Sequence, residues 1–272
     1  MVIQVSVEHA TASGGPTPAA ISIRGVEKSF RLGRKGLVKA LAGIHLRVEP
    51  GEFVAVIGPS GCGKSTILRM VAGLEDPTVG TVRIGDIRPD ELARRHGLGI
   101  AFQEHALLPW SSVRENISLP YRLAGRRIDD VRVSNLIDLV GLTGFEKARP
   151  RHLSGGMRQR VSIARSLVLE PEVLLLDEPF GALDAVTRQR MNTELSRIWA
   201  DTRPTTLLVT HDVAEAVFLA DRVVVMTGRP GEIKEVEEVT FSRPRDYTIT
   251  RDPEFHATVD RLTALLIQED RE

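Results

Sequence analysis

Apolar positions along this chain fall into short runs separated by polar, glycine-bearing breaks, and the texture of each run predicts its element. Residues 21–26 and 41–48 alternate apolar with polar positions, as half-buried strands do. Residues 53–57, Phe-Val-Ala-Val-Ile, are apolar without interruption, the pattern of a parallel strand covered on both faces. Residues 98–102, 173–176, 205–209 and 222–226 read as further strands. Residues 65–72, 185–200 and 213–219 read as helices, and residues 253–267 as an amphipathic one. Between about 111 and 170 the texture changes. Leu136, Leu139 and Val140, then Val161, Ala164, Leu167 and Val168, recur at helical spacing, which predicts a mostly helical lobe. Strands alternating with helices on both sides of that insertion predict an α/β fold with a mostly parallel sheet.

Composition narrows the class. The chain has 272 residues, 42% of them apolar and 26% charged, ample for a packed core. Its 36 basic and 36 acidic residues cancel, which argues against a protein that coats nucleic acid. Cys62 stands alone, so no intrachain disulfide forms, and this fits a reducing compartment. No apolar run approaches the ~20 residues that span a bilayer. Residues 1–20 lack the basic and long apolar segments of a signal peptide, and residues 1–19, rich in Gly, Ser and Pro toward their end, read as a flexible tail. Any membrane role is therefore exercised from the surface, through a partner.

The breaks carry the chemistry. Gly58-Pro59-Ser60-Gly61-Cys62-Gly63-Lys64-Ser65-Thr66 fills the phosphate-loop pattern between an apolar strand and a helix. Glycines let backbone N–H groups approach a polyphosphate, and the helix N-terminus adds positive charge. Lys64 can reach the β- and γ-phosphates, and the Ser65 hydroxyl can ligate Mg²⁺. Cys62 reads as a small residue that fits the loop rather than as a redox group. The strand at 173–176 runs into Asp177-Glu178, and ligands of open α/β sheets bind beyond the carboxyl ends of strands. Asp177 can thus meet the metal, and Glu178 can polarise a water for attack on the γ-phosphate. Gln103 and His211 likewise follow strands. Ser154-Gly155-Gly156 precedes an amphipathic helix, Ser154 as its N-cap, and offers a second anion site. Two phosphate sites in one chain make sense if a two-fold dimer grips each nucleotide from both sides.

The order of these motifs, with Gly181-Ala-Leu-Asp184 added, resembles the ATP-binding-cassette ATPase family over roughly residues 20–235. The resemblance implies a P-loop NTPase fold: a mostly parallel sheet, N-terminal antiparallel β strands and an inserted helical subdomain. It divides the chain into a tail (1–19), a catalytic core (20–110 and 171–235), a helical subdomain (111–170) and a C-terminal extension (236–272). It further implies that Phe30 stacks on adenine and that residues 58–66 hold the phosphates of ATP. Ser65, Gln103 and Asp177 serve Mg²⁺, Glu178 is the general base, and His211 contacts the γ-phosphate. Ser154, Gly155 and Gly156 complete the partner's site, and Asp184 joins the two sites. Residues 102–110, 152–160, 178–185 and 225–231 are similar to the nitrate, sulfonate and taurine import group, including Met157 where glutamine is commoner. That group implies integral membrane permease subunits, faced by the loop at 107–110, and indirectly a periplasmic or lipid-anchored solute-binding protein, with the chain peripheral on the cytoplasmic face of the membrane. Importers of pyrimidine precursors and ABC ATPases outside transport are the competing readings. DNA-repair types need long coiled-coil insertions and translation types carry two cassettes; this chain has neither.

Overall fold

The computed structural model describes residues 17–31, 36–181 and 183–269. Residues 1–16 of the tail reading, residues 32–35, Ala182 and residues 270–272 lie outside the described residues. Two sheets organise the rest. Strands β1 (Ile21–Arg31), β2 (Leu37–Val48) and β4 (Val79–Ile84) form an antiparallel sheet in the order β2-β1-β4. The larger sheet places β3 (Phe53–Ile57), β5 (Leu98–Ala101), β6 (Val173–Asp177), β7 (Thr205–Val209), β8 (Arg222–Met226) and β9 (Ile233–Glu238) in the order β5-β6-β7-β3-β8-β9. Its pairings are parallel up to β8, and β9 returns antiparallel.

Every residue of β3, β6 and β7 is buried, and successive side chains divide between two faces. Phe53, Ala55, Ile57, Leu174, Leu176 and Leu208 join one apolar cluster, which continues into the helices. Val54, Val56, Leu175, Leu207 and Val209 join the other, beneath the antiparallel sheet and the first helix. Each fully buried side chain of this size contributes about 1.5–3 kcal/mol. An uninterrupted apolar run is thus what a strand between two cores requires.

The helices are α1 (Lys64–Val71), α2 (Pro89–Arg94), α3 (Val113–Leu123), α4 (Asp130–Leu139), α5 (Gly155–Leu167), α6 (Ala185–Thr202), α7 (Val213–Leu219) and α8 (Pro253–Glu269). Short polar side chains start most of them. Ser112 forms a capping box with Glu115, and Asp129, Ser154, Asp184 and Asp212 each accept a backbone N–H at an N-cap. Helices α3, α4 and α5 share the first cluster through Ile117, Ile137 and Val161, so the helical stretch has no separate core. Buried Asn116 accepts from Leu108 N at 2.8 Å and donates to Ser111 O at 3.1 Å, fixing the loop before α3 and leaving Trp110 68% exposed.

The structure corrects several boundaries. Residues 37–39, ahead of the strand read at 41–48, are strand as well: Ser29 pairs with Lys39 and Phe30 with Val38. The sequence reading gave no element to β4, α2 or β9. β4 is mostly exposed, with only Val82 and Ile84 buried, α2 is only six residues long, and β9 has a lysine and glutamates on an edge that is only half buried. Among the described residues no helix is long and apolar enough to cross a membrane.

Candidate active site

The apolar strand β3 delivers the chain into the glycine-rich loop, and α1 begins immediately after it. Gly63 caps α1 in the left-handed region, φ 101°, with no side-chain cap. The first amides of α1 therefore have no intrahelical acceptor and face outward as donors. Space in the loop is minimal: a Cβ on Gly63 would sit 2.4 Å from Leu41 Cδ2, and one on Gly58 would sit 2.9 Å from Cys62 Sγ. Lys64 Nζ folds over the loop and donates to Gly58 O at 2.7 Å and Pro59 O at 2.9 Å.

Across from Lys64, β6 ends in the two carboxylates. The Ser65 hydroxyl donates to Asp177 Oδ1 at 3.0 Å, which ties the loop helix to the strand end. Burial pushes the Asp177 carboxyl above its ordinary range, opposed by that hydrogen bond and by Lys64. Glu178 occupies the left-handed region, φ 46°, where a non-glycine residue is strained, and its N–H donates to Val209 O at 2.8 Å. Gln103 Nε2 donates to Glu178 Oε2 at 3.2 Å, and His211 Nδ1 lies 3.5 Å from the same oxygen. These three residues follow β5, β6 and β7, which are neighbours in the sheet, and that adjacency brings them together.

They converge on a cleft of about 690 Å³ lined by Phe30, Ser60, Gly61, Gly63, Lys64, Ser65, Thr66, Gln103, Glu178 and His211. Val38, Lys39, Ala40 and Arg229 line it as well. An adjoining hollow of about 440 Å³ is bordered by Ser65, Gln103 and Asp177. Lys28 Nζ stands 5.0 Å from the centre of the Phe30 ring. Cys62 is buried beneath the loop.

An ABC transporter family model matches residues 41–181, just over half the chain. The chain belongs to the ABC transporter family. It is the family's ATP-binding subunit, an ATPase coupled to transport. The aliphatic sulfonates import ATP-binding protein SsuB of Bacillus thuringiensis subsp. konkukian is 46% identical over 84% of this chain and 89% of its own. The nitrate import ATP-binding protein NrtD of Synechocystis sp. is 45% identical over 86% of this chain and 91% of its own. Among solved structures, the dimeric ABC transporter cassette MJ0796, in a post-hydrolysis state bound to ADP and Pi, is 31% identical. It superposes with a TM-score of 0.73, covering 82% of this chain and all of that one.

The ABC cassette keeps some of its expected residues apart. Ser154 Oγ accepts from Met157 N at 3.2 Å at the start of α5, and Gly155 and Gly156 form the first turn. Asp184 accepts from Thr187 N at 3.0 Å at the start of α6. None of the four lines the cleft. A Cβ on Gly155 would meet only Arg158 Nη2, at 3.9 Å, among the described residues.

Sequence reasoning missed the support under His211. Asp212 N donates to Thr210 Oγ1 at 3.0 Å, Thr210 Oγ1 donates to Glu215 Oε2, and Arg188 Nη1 donates to Asp212 Oδ2 at 2.8 Å. Burial pushes the Glu215 carboxyl up to about 8, against the Thr210 hydrogen bond. It gave no site role to Val38, Lys39 and Ala40, which lie on β2 and meet the cleft only in the fold, nor to Arg229, whose stretch at 225–231 was read only for its subfamily resemblance.

Proposed function

We propose that this chain is the ATP-hydrolysing subunit of an importer that takes up a small anion such as a sulfonate, taurine or nitrate. One observation carries the catalytic part: Gln103 and His211 flank the Glu178 carboxylate at the mouth of the cleft that Lys64 lines. Phe30 stacks on adenine, and the backbone amides from Gly58 to Thr66 hold the phosphates. Glu178 accepts the proton of the attacking water, and His211 steadies the γ-phosphate. Ser65, Gln103 and Asp177 hold Mg²⁺. A hydroxyl and a carboxylate oxygen 3.0 Å apart are the hard donors this ion prefers. When bound, Mg²⁺ neutralises charge on the phosphate oxygens.

Ser154, Gly155 and Gly156 are at the exposed start of α5, away from the cleft, and serve the ATP held by a second copy; Asp184 links the two sites. The chain is peripheral on the cytoplasmic face of the membrane, its loop at 107–110 against permease subunits, which receive solute from a periplasmic or lipid-anchored binding protein. Nucleic acid has no place in this reading. Uptake measured in a strain lacking this subunit tests it, with sulfonates, taurine, nitrate and pyrimidine precursors compared. Uptake of one anion is expected to disappear and to return with the wild-type chain but not with Glu178→Gln. Unchanged anion uptake, with only a pyrimidine lost, would refute the anion assignment.

A further inference from the structure

The cleft is bordered by three cations: Lys39, Lys64 and Arg229. Lys39 Nζ is neutralised by Glu27 Oε2 at 3.0 Å. Among the described residues Lys64 has only backbone carbonyls and the Cys62 sulfur as acceptors. Arg229 is like Lys64 in this respect. Its Nε donates to Gly61 O at 3.0 Å, and among the described residues no carboxylate pairs with it. The guanidinium lies against the loop, so close that a Cβ on Gly61 would be 2.2 Å from Arg229 Nη2 and 3.1 Å from Cζ. Gly61 thus leaves room for Arg229 as well as for an incoming phosphate.

The hairpin that carries Arg229 is itself held. Gly231 N donates to Ala40 O at 2.9 Å, and Ala42 N donates to Gly231 O at 3.0 Å. Glu232 N donates to Thr227 Oγ1 at 3.0 Å. A planar fork with one N–H spent on the loop and, among the described residues, no partner on its Nη groups, at the rim of a cleft that receives a triphosphate, is suited to an anion. We propose that Arg229 is a second cationic contact for the phosphates of bound ATP, reaching over Gly61 from outside the glycine-rich motif. This rests on the reading of the cleft as the ATP site. The alternative is a brace, in which Arg229 only stiffens the loop through Gly61 O.

The test titrates ATP, ADP and AMP, by competition against a fluorescent ATP analogue, into the full chain as wild type, Arg229→Ala, Arg229→Lys and Lys64→Ala. Melting temperatures without nucleotide are measured alongside. Arg229→Ala is expected to weaken ATP by about tenfold or more, the scale of one hydrogen bond to a charged group. ADP is expected to lose less and AMP to change less than about twofold, because the loss follows the phosphates. Arg229→Lys recovers part of the ATP affinity, and the melting temperature stays near wild type. ATP affinity of Arg229→Ala within about twofold of wild type would overturn the proposal. So would an equal loss for all three nucleotides with a lowered melting temperature, the mark of a brace. Lys64→Ala separates the two levels. If it and the wild type bind ATP equally well, the cleft is misassigned and both readings fall. If only Arg229→Ala behaves as wild type, the Arg229 contact alone falls.

Discussion

At the scale of single residues, Gly231 shows how far the phosphate loop depends on chain distant in sequence. A Cβ on Gly231 would lie 1.9 Å from the Cys62 carbonyl oxygen, whereas one on Gly228, in the same hairpin, would meet nothing within 4 Å. Gly231→Ala therefore forces the hairpin and the loop apart. It is expected to cost about 1–3 kcal/mol of stability, the usual range for overpacking, and to weaken ATP binding. Gly228→Ala is expected to leave both unchanged. Melting curves and ATP titration of the two variants check this, and equal behaviour would show that the contact is unimportant. The contrast also explains what sequence could reach. Gly58, Lys64, Ser65, Asp177 and Glu178 lie in runs with a recognisable local order. Arg229 and Gly231 acquire meaning only because β8 and β3 are neighbours, which no window of the sequence contains.

At the scale of elements, α7 carries the support under His211 and stores a proton. Glu215 is held near 8 in the fold, against an ordinary value of 4.5, because burial disfavours its anion. The folded chain therefore binds the proton more tightly than the unfolded one. The stability this gives is complete below the ordinary value and is lost as pH rises through about 8. Glu215→Gln keeps the shape and removes the titration. Wild type is expected to lose a few °C of melting temperature relative to Glu215→Gln between pH 6 and pH 9. Parallel curves would contradict the linkage. The carboxyl end of the same helix is closed from the C-terminal extension: Arg245 donates to the carbonyls of Val217, Phe218, Ala220 and Val239, and Phe255 and Leu262 are buried in the main cluster. The helix at 253–269 was legible from its amphipathic spacing. Its role was not, because capping by Arg245 is a tertiary contact. The fully apolar strands were legible because burial on both faces leaves a run without alternation, and β9 was not because it is a polar edge.

At the scale of the molecule, the proposed site residues divide into two groups that one chain does not unite. The cleft gathers Lys64, Gln103, Glu178 and His211, while the exposed Ser154 and half-buried Gly155 stand at the start of α5 and do not line it. In the composite account Ser154→Arg fills the space a partner's nucleotide needs. It is expected to spare ATP binding to the single chain while lowering hydrolysis by at least about a hundredfold, the scale at which a lost phosphate-stabilising contact acts. Steady-state phosphate release beside equilibrium ATP binding checks it, and undiminished release would refute a shared site. The sequence suggested this division, since two anion-binding patterns in one chain call for two chains. Asp184 directly precedes the helix read at 185–200, so its capping of α6 was within reach of the sequence as well. The most direct measurement of the central claim is the molar mass of Glu178→Gln in solution, by light scattering, with ATP and with ADP. The account predicts a dimer in ATP, retaining the nucleotide without turnover, and a monomer in ADP. A chain that binds ATP yet stays monomeric would contradict it.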